Sequence, residues 1–221
     1  MLDFFKSIFR STSSRTPDSH KEKKQISFEH NLKALIITDT HSSLKNHWKD
    51  KIPSNEELQK CDVCFVLGDV TGYDISAIEI LTMANNLPCF GIPGNHDESW
   101  DPYEGTHIQN IHGKVIDFKG IKIGGIGGSI RYKDSDNPLL TDEESKEILE
   151  NMEGCDILLT HDGVKHPEKD FAHSGLAGIS EYLEKWDIPY HFYGHFHHPQ
   201  EEILPNGTKS ICFYGVTMIE L

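Results

Sequence analysis

The sequence predicts an α/β fold in which two β-sheets pack together and helices cover their outer faces. Two observations lead to this prediction: strand-like and helical segments alternate in the first half of the chain, and pairs of strand-like runs return in the middle and at the end. A third observation is length, because 221 residues can bury a sizeable core without disulfide bonds.

Composition and charge exclude several classes of protein. Apolar residues make up 37% of the chain and charged residues 25%, which is neither collagen-like nor broadly disordered. No apolar run approaches the roughly 18 residues that a membrane-spanning helix needs. The formal net charge of −14 argues against a protein that coats nucleic acid, because phosphate binding requires a basic face. Five scattered cysteines, an odd number, indicate a reduced protein, and we expect a cytoplasmic location.

The first 25 residues differ from the rest of the chain. They contain six Lys or Arg against three Asp or Glu, so residues 26–221 have a formal charge of −17. Four apolar residues near the start recur at helical spacing: Leu2, Phe5, Ile8 and Phe9. We expect residues 1–25 to form a basic, flexible tail whose short amphipathic segment is either unattached or in weak contact with a membrane or a partner. The folded domain is predicted to span residues 26–221.

Five apolar runs predict strands, and each run ends in a polar cluster. The strands are expected over residues 33–38, 63–67, 88–92, 155–160 and 191–193. The clusters after them are Asp-Thr-His at 39–41, Gly-Asp at 68–69, Gly-Asn-His-Asp at 94–97, His-Asp at 161–162 and Gly-His-Phe-His at 194–197. Because ligand sites in open α/β sheets gather at the carboxyl ends of strands, we expect these clusters to converge on one crevice.

The remaining elements complete the predicted layers. Apolar residues at helical spacing predict helices over residues 75–87 and 176–186. Thr141 and Glu144 form the capping-box signature of a third helix. Residues 115–130 are largely apolar with five glycines, which favours a hairpin or meander. Near the end, strand-like runs flank Pro205-Asn206-Gly207, where Asn-Gly favours a tight hairpin turn.

The residue types in the five clusters indicate metal binding. Carboxylate, imidazole and amide ligands suit borderline or hard divalent metals, and two neighbouring cations need a shared anionic ligand that a bridging Asp supplies. In Asp39-x-His41 and His195-x-His197, alternate residues of an extended segment would project to the same side. Glycines whose backbone freedom allows a sharp turn precede three candidate ligands: Gly68, Gly94 and Gly194. Each cluster alone is a common turn or a buried histidine, and only the five together predict a metal site.

The set DTH, GD, GNHD, H and GHFH, in this order over residues 39–197, resembles the calcineurin-like metallophosphoesterases. The resemblance implies a four-layer αββα sandwich, with two mixed β-sheets flanked by helices. It implies two divalent metal ions as cofactors, with Mn²⁺ expected first and Fe, Zn or Ni as alternatives. The implied ligands of one ion are Asp39, His41, Asp69 and His197. Asp69 would bridge to the second ion, whose other implied ligands are Asn95, His161 and His195. His96 is implied to be catalytic, acting on the substrate without binding metal.

The activity implied is hydrolysis of a small-molecule phosphodiester or phosphomonoester, such as a nucleotide, by attack of a metal-activated water on phosphorus. Protein Ser/Thr phosphatases of this superfamily have GD-x-x-D-R-G, whereas residues 68–74 here are GDVTGYD, without the second Asp and the Arg in their places. The chain therefore resembles the small bacterial phosphodiesterase-type branch. We expect Asp74 or Asp97 to support His96. Three further residues are candidates to face the phosphate: Arg131, His173 and Ser174.

Two other functions stay open. Some relatives keep the fold without catalysis and act as binding or assembly scaffolds, but they typically lack the catalytic histidine or several ligands, and all eight residues are present here. A nuclease would use the same site, although the acidic domain argues against long nucleic acid as a partner. A small phosphorylated substrate is the expected partner, recognised by the loops 99–112 and 128–140.

Overall fold

The computed structural model describes residues 32–166 and 168–221. The predicted N-terminal tail, residues 1–25, lies outside these residues. Within them, no helix combines the length and the apolar character that crossing a membrane requires.

The secondary structure follows the predicted order closely. The strands are β1 (Lys33–Thr38), β2 (Val63–Val66), β3 (Cys89–Gly91), β4 (Gln109–Asn110), β5 (Lys114–Phe118), β6 (Ile121–Ile126), β7 (Ser129–Ile130), β8 (Leu139–Leu140), β9 (Ile157–Thr160), β10 (Tyr190–Tyr193), β11 (Gln200–Ile203), β12 (Lys209–Cys212) and β13 (Gly215–Glu220). The α-helices are α1 (Asn55–Leu58), α2 (Tyr73–Ala84), α3 (Asp142–Glu150) and α4 (Ala177–Lys185). Short 3₁₀ turns occur at Lys49–Lys51 and Phe171–His173.

Two mixed sheets form the centre of the molecule. The first sheet has the strand order β13-β1-β2-β3-β4, in which only β13 is antiparallel to its neighbour. The second has the order β11-β12-β10-β9-β6-β5, with parallel central strands and antiparallel strands at both edges. A small parallel pair, β7 and β8, lies apart from both.

Alternation of side chains along the strands builds four layers. Ile36 and Phe65 point between the two sheets, where they pack against Leu159 of the second sheet in one buried cluster. On the outer face of the first sheet, residues such as Ile37 pack under α2. On the outer face of the second sheet, residues such as Leu158 pack under α3 and α4. The predicted αββα sandwich is therefore confirmed.

Two local signals in the sequence are confirmed by the structure. The capping box of α3 is present, because Thr141 accepts from the Glu144 amide while the Glu144 carboxylate accepts from the Thr141 amide. The hairpin predicted at Pro205-Asn206-Gly207 is confirmed, because β11 and β12 are antiparallel and the Leu204 amide donates to the Thr208 carbonyl at 2.9 Å across these three residues. Asn206 folds this loop back by donating to the Leu183 carbonyl, 2.6 Å away.

Candidate metal and catalytic site

The site lies where the loops after β1, β2, β3, β9 and β10 meet. Backbone hydrogen bonds join these loops to one another: the Asp39 amide donates to the Gly68 carbonyl (3.0 Å), and the Gly194 amide donates to the His161 carbonyl (3.1 Å). The His195 amide donates to the carboxylate of Asp39, which links the two sheets (3.0 Å). All eight residues predicted from sequence come together here.

One group of candidate ligands is half open to solvent. His41 Nε2 lies 3.1 Å from His197 Nε2, and His197 Nε2 lies 3.4 Å from Asp39 Oδ1. One ligand atom from each of these three residues lies within 4.8 Å of the other two. Imidazole nitrogens and a carboxylate oxygen at this spacing could share one cation.

Asp69 lies between this group and a second, deeper one. Its Oδ2 atom is 3.8 Å from His41 Nε2 and 3.5 Å from His161 Nε2. That oxygen is buried and has no hydrogen-bond partner in residues 32–166 and 168–221, whereas Oδ1 accepts from the His96 amide at 2.7 Å. A buried carboxylate oxygen without a partner is costly. The arrangement fits a carboxylate that bridges two cations.

The deeper group consists of Asn95, His161 and His195. Asn95 Oδ1 lies 2.9 Å from His161 Nε2, and the rings of His161 and His195 are 5.2 Å apart. Each histidine places its other nitrogen on a backbone carbonyl: His161 Nδ1 is 2.7 Å from Leu67 O, and His195 Nε2 is 3.0 Å from Ala172 O. Histidines that bind metals usually donate their second N–H in this way. Nε2 of His161 and Nδ1 of His195 are thereby left for an ion.

His96 stands at the rim of the site. Its side chain is exposed, and its ring lies 5.2 Å from that of His41 in an edge-to-face arrangement. Neither expected carboxylate is hydrogen-bonded to its imidazole. Asp74 accepts from the Leu44 amide (3.0 Å), and Asp97 accepts from the amides of Gly94 (2.6 Å) and Asp69 (3.0 Å). Asp97 therefore shapes the loops that hold the site, and the expectation of direct support for His96 is wrong.

The backbone of the site is strained. Five of the seven candidate ligands have positive φ angles between 46° and 67°: Asp39, His41, Asp69, His195 and His197. Residues other than glycine seldom adopt this conformation, although Asp and His do so more often than most, and a cluster of such residues is typical of functional sites. The ligand pairs therefore converge through left-handed turns, and the expectation of extended segments at 39–41 and 195–197 is wrong.

The three glycines before the ligands act in two ways. Gly68 has a φ of +91°, as the predicted sharp turn requires. Gly94 and Gly194 are needed because the backbone passes close to other groups. A Cβ on Gly94 would overlap with Asp69, and one on Gly194 would overlap with Thr38. Both positions therefore require glycine, because any larger residue would overlap with its neighbours.

Burial and charge shift the pKa values of the site in the absence of a metal. Burial acts to lower the pKa of His161, but the carboxylates of Asp69 and Asp39 outweigh it and raise this pKa to about 10. Burial acts to raise the pKa of Asp69, but the neighbouring His161 outweighs it, so this pKa lies well below its ordinary value. The hydrogen bond to Asp39 raises the pKa of His197. The cluster thus favours positive charge at its centre, which a divalent cation would also supply.

Of the residues expected to face the phosphate, only His173 lies beside the site. Its ring is 5.0 Å from that of His195, and its Nδ1 is 2.9 Å from Asp170 Oδ1. Arg131 instead donates to the Leu139 carbonyl at 2.7 Å and lies near Glu144, so its expected role is wrong.

Ser174 is buried, and its hydroxyl donates to the carbonyl of Phe171 at 3.1 Å. Its expected place facing the phosphate is therefore wrong as well.

Two residues of the 128–140 loop reach the site without having been predicted individually. The Tyr132 hydroxyl accepts from the side-chain amide of Asn95 at 3.3 Å. The side-chain amide of Asn137 donates to the backbone carbonyls of Asn95 and Asp97. The loop 128–140 was predicted from sequence to recognise substrate, but neither of these two residues was singled out. No local pattern distinguishes these two side chains from other polar loop residues.

Comparison with known proteins agrees with this geometry. An uncharacterised protein of Haemophilus influenzae is 26% identical over 200 residues, which cover 74% of this chain and 82% of that protein. An uncharacterised protein of Methanocaldococcus jannaschii is 30% identical over 138 residues, which cover 60% of this chain and 50% of that protein. The crystal structure of phosphopantetheinyl hydrolase from Mycobacterium tuberculosis superposes with a TM-score of 0.52 at 13% identity, over 84% of this chain and 90% of that one.

The sequence profile described as calcineurin-like phosphoesterase matches residues 32–199, which include every candidate ligand and His96. With the αββα sandwich and the convergence of the five loops, this match identifies the family. The chain belongs to the calcineurin-like phosphoesterases.

Proposed function

We propose that this protein is a metal-dependent hydrolase of a small-molecule phosphodiester or phosphomonoester. The observation that supports the proposal most strongly is the buried Oδ2 of Asp69, which has no hydrogen-bond partner in the described part of the chain and lies within 4 Å of both His41 and His161. Such an oxygen fits a bridge between two cations better than it fits a structural role.

Seven side chains would hold the cations, of which Mn²⁺ is our first candidate. Three of them would complete one position with Asp69: Asp39, His41 and His197. Three others would complete the second position with Asp69: Asn95, His161 and His195. When bound, the cation pair would activate a water for attack on phosphorus and offset charge on the phosphoryl oxygens. His96, exposed at the rim, would donate a hydrogen bond to the phosphoryl group or a proton to the leaving oxygen.

The substrate we propose is small and anionic. Residues 26–221 have a formal charge of −17, so a long polyanion would be repelled over most of the surface. The known structural neighbour named as a phosphopantetheinyl hydrolase fits a small phosphorylated substrate. The absence of the protein phosphatase Arg removes a bidentate phosphate clamp, which argues against phosphoproteins as substrates.

The decisive experiment measures hydrolysis of bis-p-nitrophenyl phosphate and p-nitrophenyl phosphate by the purified full chain. We expect turnover with added Mn²⁺ and its loss with EDTA. Asp69→Asn should abolish turnover, because an amide cannot supply the shared negative charge between two cations. Asp50→Asn, at an exposed position in the 3₁₀ turn Lys49–Lys51, is the matched control and should be as active as the parent.

A screen of nucleotides, cyclic nucleotides and phosphorylated sugars would then identify the natural class of ester. Inactivity across both chromogenic esters and the whole screen, in protein shown by mass spectrometry to contain two metal ions, would overturn the proposal. That result would favour a binding scaffold on the same fold.

A further inference from the structure

The position of the His96 side chain depends on the main chain that bears it. Among the described residues, its imidazole forms no hydrogen bond, and its ring meets only the edge of His41 at 5.2 Å. The His96 amide is fixed at one point by Asp69 Oδ1 (2.7 Å). A catalytic group must be held within a fraction of an ångström of its working position, so other contacts to this stretch of main chain matter.

Asn137 provides such contacts on both sides of the histidine. Its Nδ2 atom lies 3.2 Å from the carbonyl oxygen of Asn95 and 3.3 Å from that of Asp97. A side-chain amide has two N–H donors, so both bonds can form at once. The two accepting carbonyls belong to the residues immediately before and after His96.

The Asn137 amide is itself held in this orientation. The Ser135 hydroxyl donates to Asn137 Oδ1 at 2.7 Å, and the Asn137 backbone amide donates back to the same hydroxyl oxygen at 3.2 Å. The reversed amide would place its oxygen against two carbonyl oxygens and lose the bond from Ser135. The hydrogen-bond network therefore selects one orientation.

The segment that contains Asn137 is also tied to the site. Its flanking strands pair with each other, with Ser129 opposite Leu139, and the Gly128 amide donates to the Pro93 carbonyl at 2.8 Å. Pro93 immediately precedes the stretch GNHD. The segment is thus held against the loop after β3 at two separate places, the Pro93 carbonyl and the carbonyls on either side of His96.

We propose that Asn137 is a positioning residue for His96, acting through the carbonyls of Asn95 and Asp97. The inference rests on the proposed phosphoesterase function and extends it to a residue outside the five motif clusters. Its direct consequence is that the contribution of Asn137 to turnover depends on the presence of the His96 imidazole.

The test is a double-mutant cycle in the full chain with Mn²⁺ and bis-p-nitrophenyl phosphate. Asn137→Ala should lower kcat by about tenfold while KM changes by less than about threefold, since misplacement affects the reacting geometry more than binding. Asn137→Asp should be worse than Asn137→Ala, because its carboxylate would face two carbonyl oxygens. In a His96→Ala background, Asn137→Ala should have no further effect on kcat.

Asn206→Ala is the matched control. Asn206 also fixes a loop through its side-chain amide, by donating to the Leu183 carbonyl and accepting from the Thr208 amide, but it lies outside the site. It should leave kcat unchanged whatever its effect on thermal stability. All variants should retain the metal content of the parent.

A second measurement does not require activity. NMR of protein with ¹³C-labelled histidines can follow the His96 imidazole, whose signal is assigned by its loss in His96→Ala. The mobility of this ring should increase in Asn137→Ala and should equal that of the parent in Asn206→Ala. An unchanged signal would overturn the inference, as would equal losses of kcat with and without the His96 imidazole. If the parent is inactive on every substrate but the signal still responds to Asn137, the proposed function fails and the positioning role stands.

Discussion

His96 differs from the other motif histidines in its surroundings. The histidines at 161 and 195 are buried and fixed by backbone carbonyls, whereas the His96 imidazole is exposed and forms no hydrogen bond with any residue that the structure describes. An exposed imidazole at the rim of the site suits proton transfer or hydrogen bonding to a substrate. The contrast supports different tasks for the two kinds of histidine.

This contrast leads to a prediction for His96→Ala. We expect the variant to bind as much Mn²⁺ as the parent while its turnover falls by about 10²-fold or more, the scale of general acid–base contributions. Metal content by mass spectrometry and kcat on an activated diester measure the two effects. A variant that hydrolyses the ester as fast as the parent would show that His96 has no catalytic role.

The convergence of the five clusters could be predicted from sequence because each follows an apolar strand and the strands are parallel, whereas the eight residues within them were assigned by the resemblance to the family. Their convergence depends on the direction of the chain, which the pattern of strands specifies. Arg131, Tyr132 and Asn137 could not be assigned in this way. They lie in one loop, and which of them turns toward the site depends on the pairing of β7 with β8 and on contacts to distant carbonyls.

At the scale of elements, the long central strands and helices α2, α3 and α4 were predicted, whereas the four-residue helix α1 and the two-residue strands were not. β1 and β2 are apolar runs with clear ends, and α3 begins at a capping box. β4, β7 and β8 have only two residues each, so they form because a neighbouring strand supplies the hydrogen bonds. A short stretch of sequence does not show which strand will lie beside it in the fold.

β10 joins its neighbours through a buried histidine as well as through its backbone. His191 Nε2 lies 2.8 Å from the Thr160 hydroxyl of β9, and its Nδ1 lies 2.9 Å from the Ser210 hydroxyl of β12. Burial lowers the pKa of His191 to about 3. The residue therefore serves as a neutral bridge across three strands of the second sheet.

The lowered pKa predicts acid sensitivity. In the unfolded chain this histidine is protonated below about pH 6.5, whereas in the folded chain it is protonated only near pH 3. The contribution of neutral His191 to the free energy of unfolding is therefore fully present above pH 6.5 and is lost as the pH falls toward 3. In that range the unfolding free energy of His191→Gln should fall less steeply with decreasing pH than that of the parent, by about 1.4 kcal/mol per pH unit. Urea unfolding at several pH values in EDTA measures this difference.

The control for that experiment is His47→Gln, at an exposed histidine. Its pH dependence should match that of the parent. An identical slope for His191→Gln and the parent would mean that His191 is protonated in the folded protein or stays neutral in the unfolded one.

For the whole molecule, the site is the place where the two sheets are joined. Asp39 and Asp69 follow strands of the first sheet, and His161 and His195 follow strands of the second. Cations held by both sets would connect the sheets at their common edge, in addition to the apolar layer between them. The two packed sheets were predicted from the order of strand-like and helical segments, and the αββα arrangement was implied by the resemblance to the family. The meeting edge was predicted from the polar clusters at the strand ends.

Metal binding should therefore raise the thermal stability of the protein. A ligand that binds only the folded state at 100 times its Kd adds about 2.7 kcal/mol, so we expect Mn²⁺ to increase Tm by several degrees and EDTA to reverse the increase. Calorimetry with and without Mn²⁺ measures the shift. Asp69→Asn should show little of it, and a parent Tm that is insensitive to Mn²⁺ would contradict the placement of the ions between the sheets.

The left-handed backbone at five candidate ligands has a consequence for the substitution of these residues. Glycine adopts that conformation without strain, so exchanging a candidate ligand for glycine would relax the main chain while removing a group that could bind metal. At Asp39 and Asp69 the exchange would also leave the amides of His195 and His96 without their acceptor. In the absence of metal, His41→Gly should therefore cost the scaffold less than Asp39→Gly or Asp69→Gly, although each exchange removes a candidate ligand.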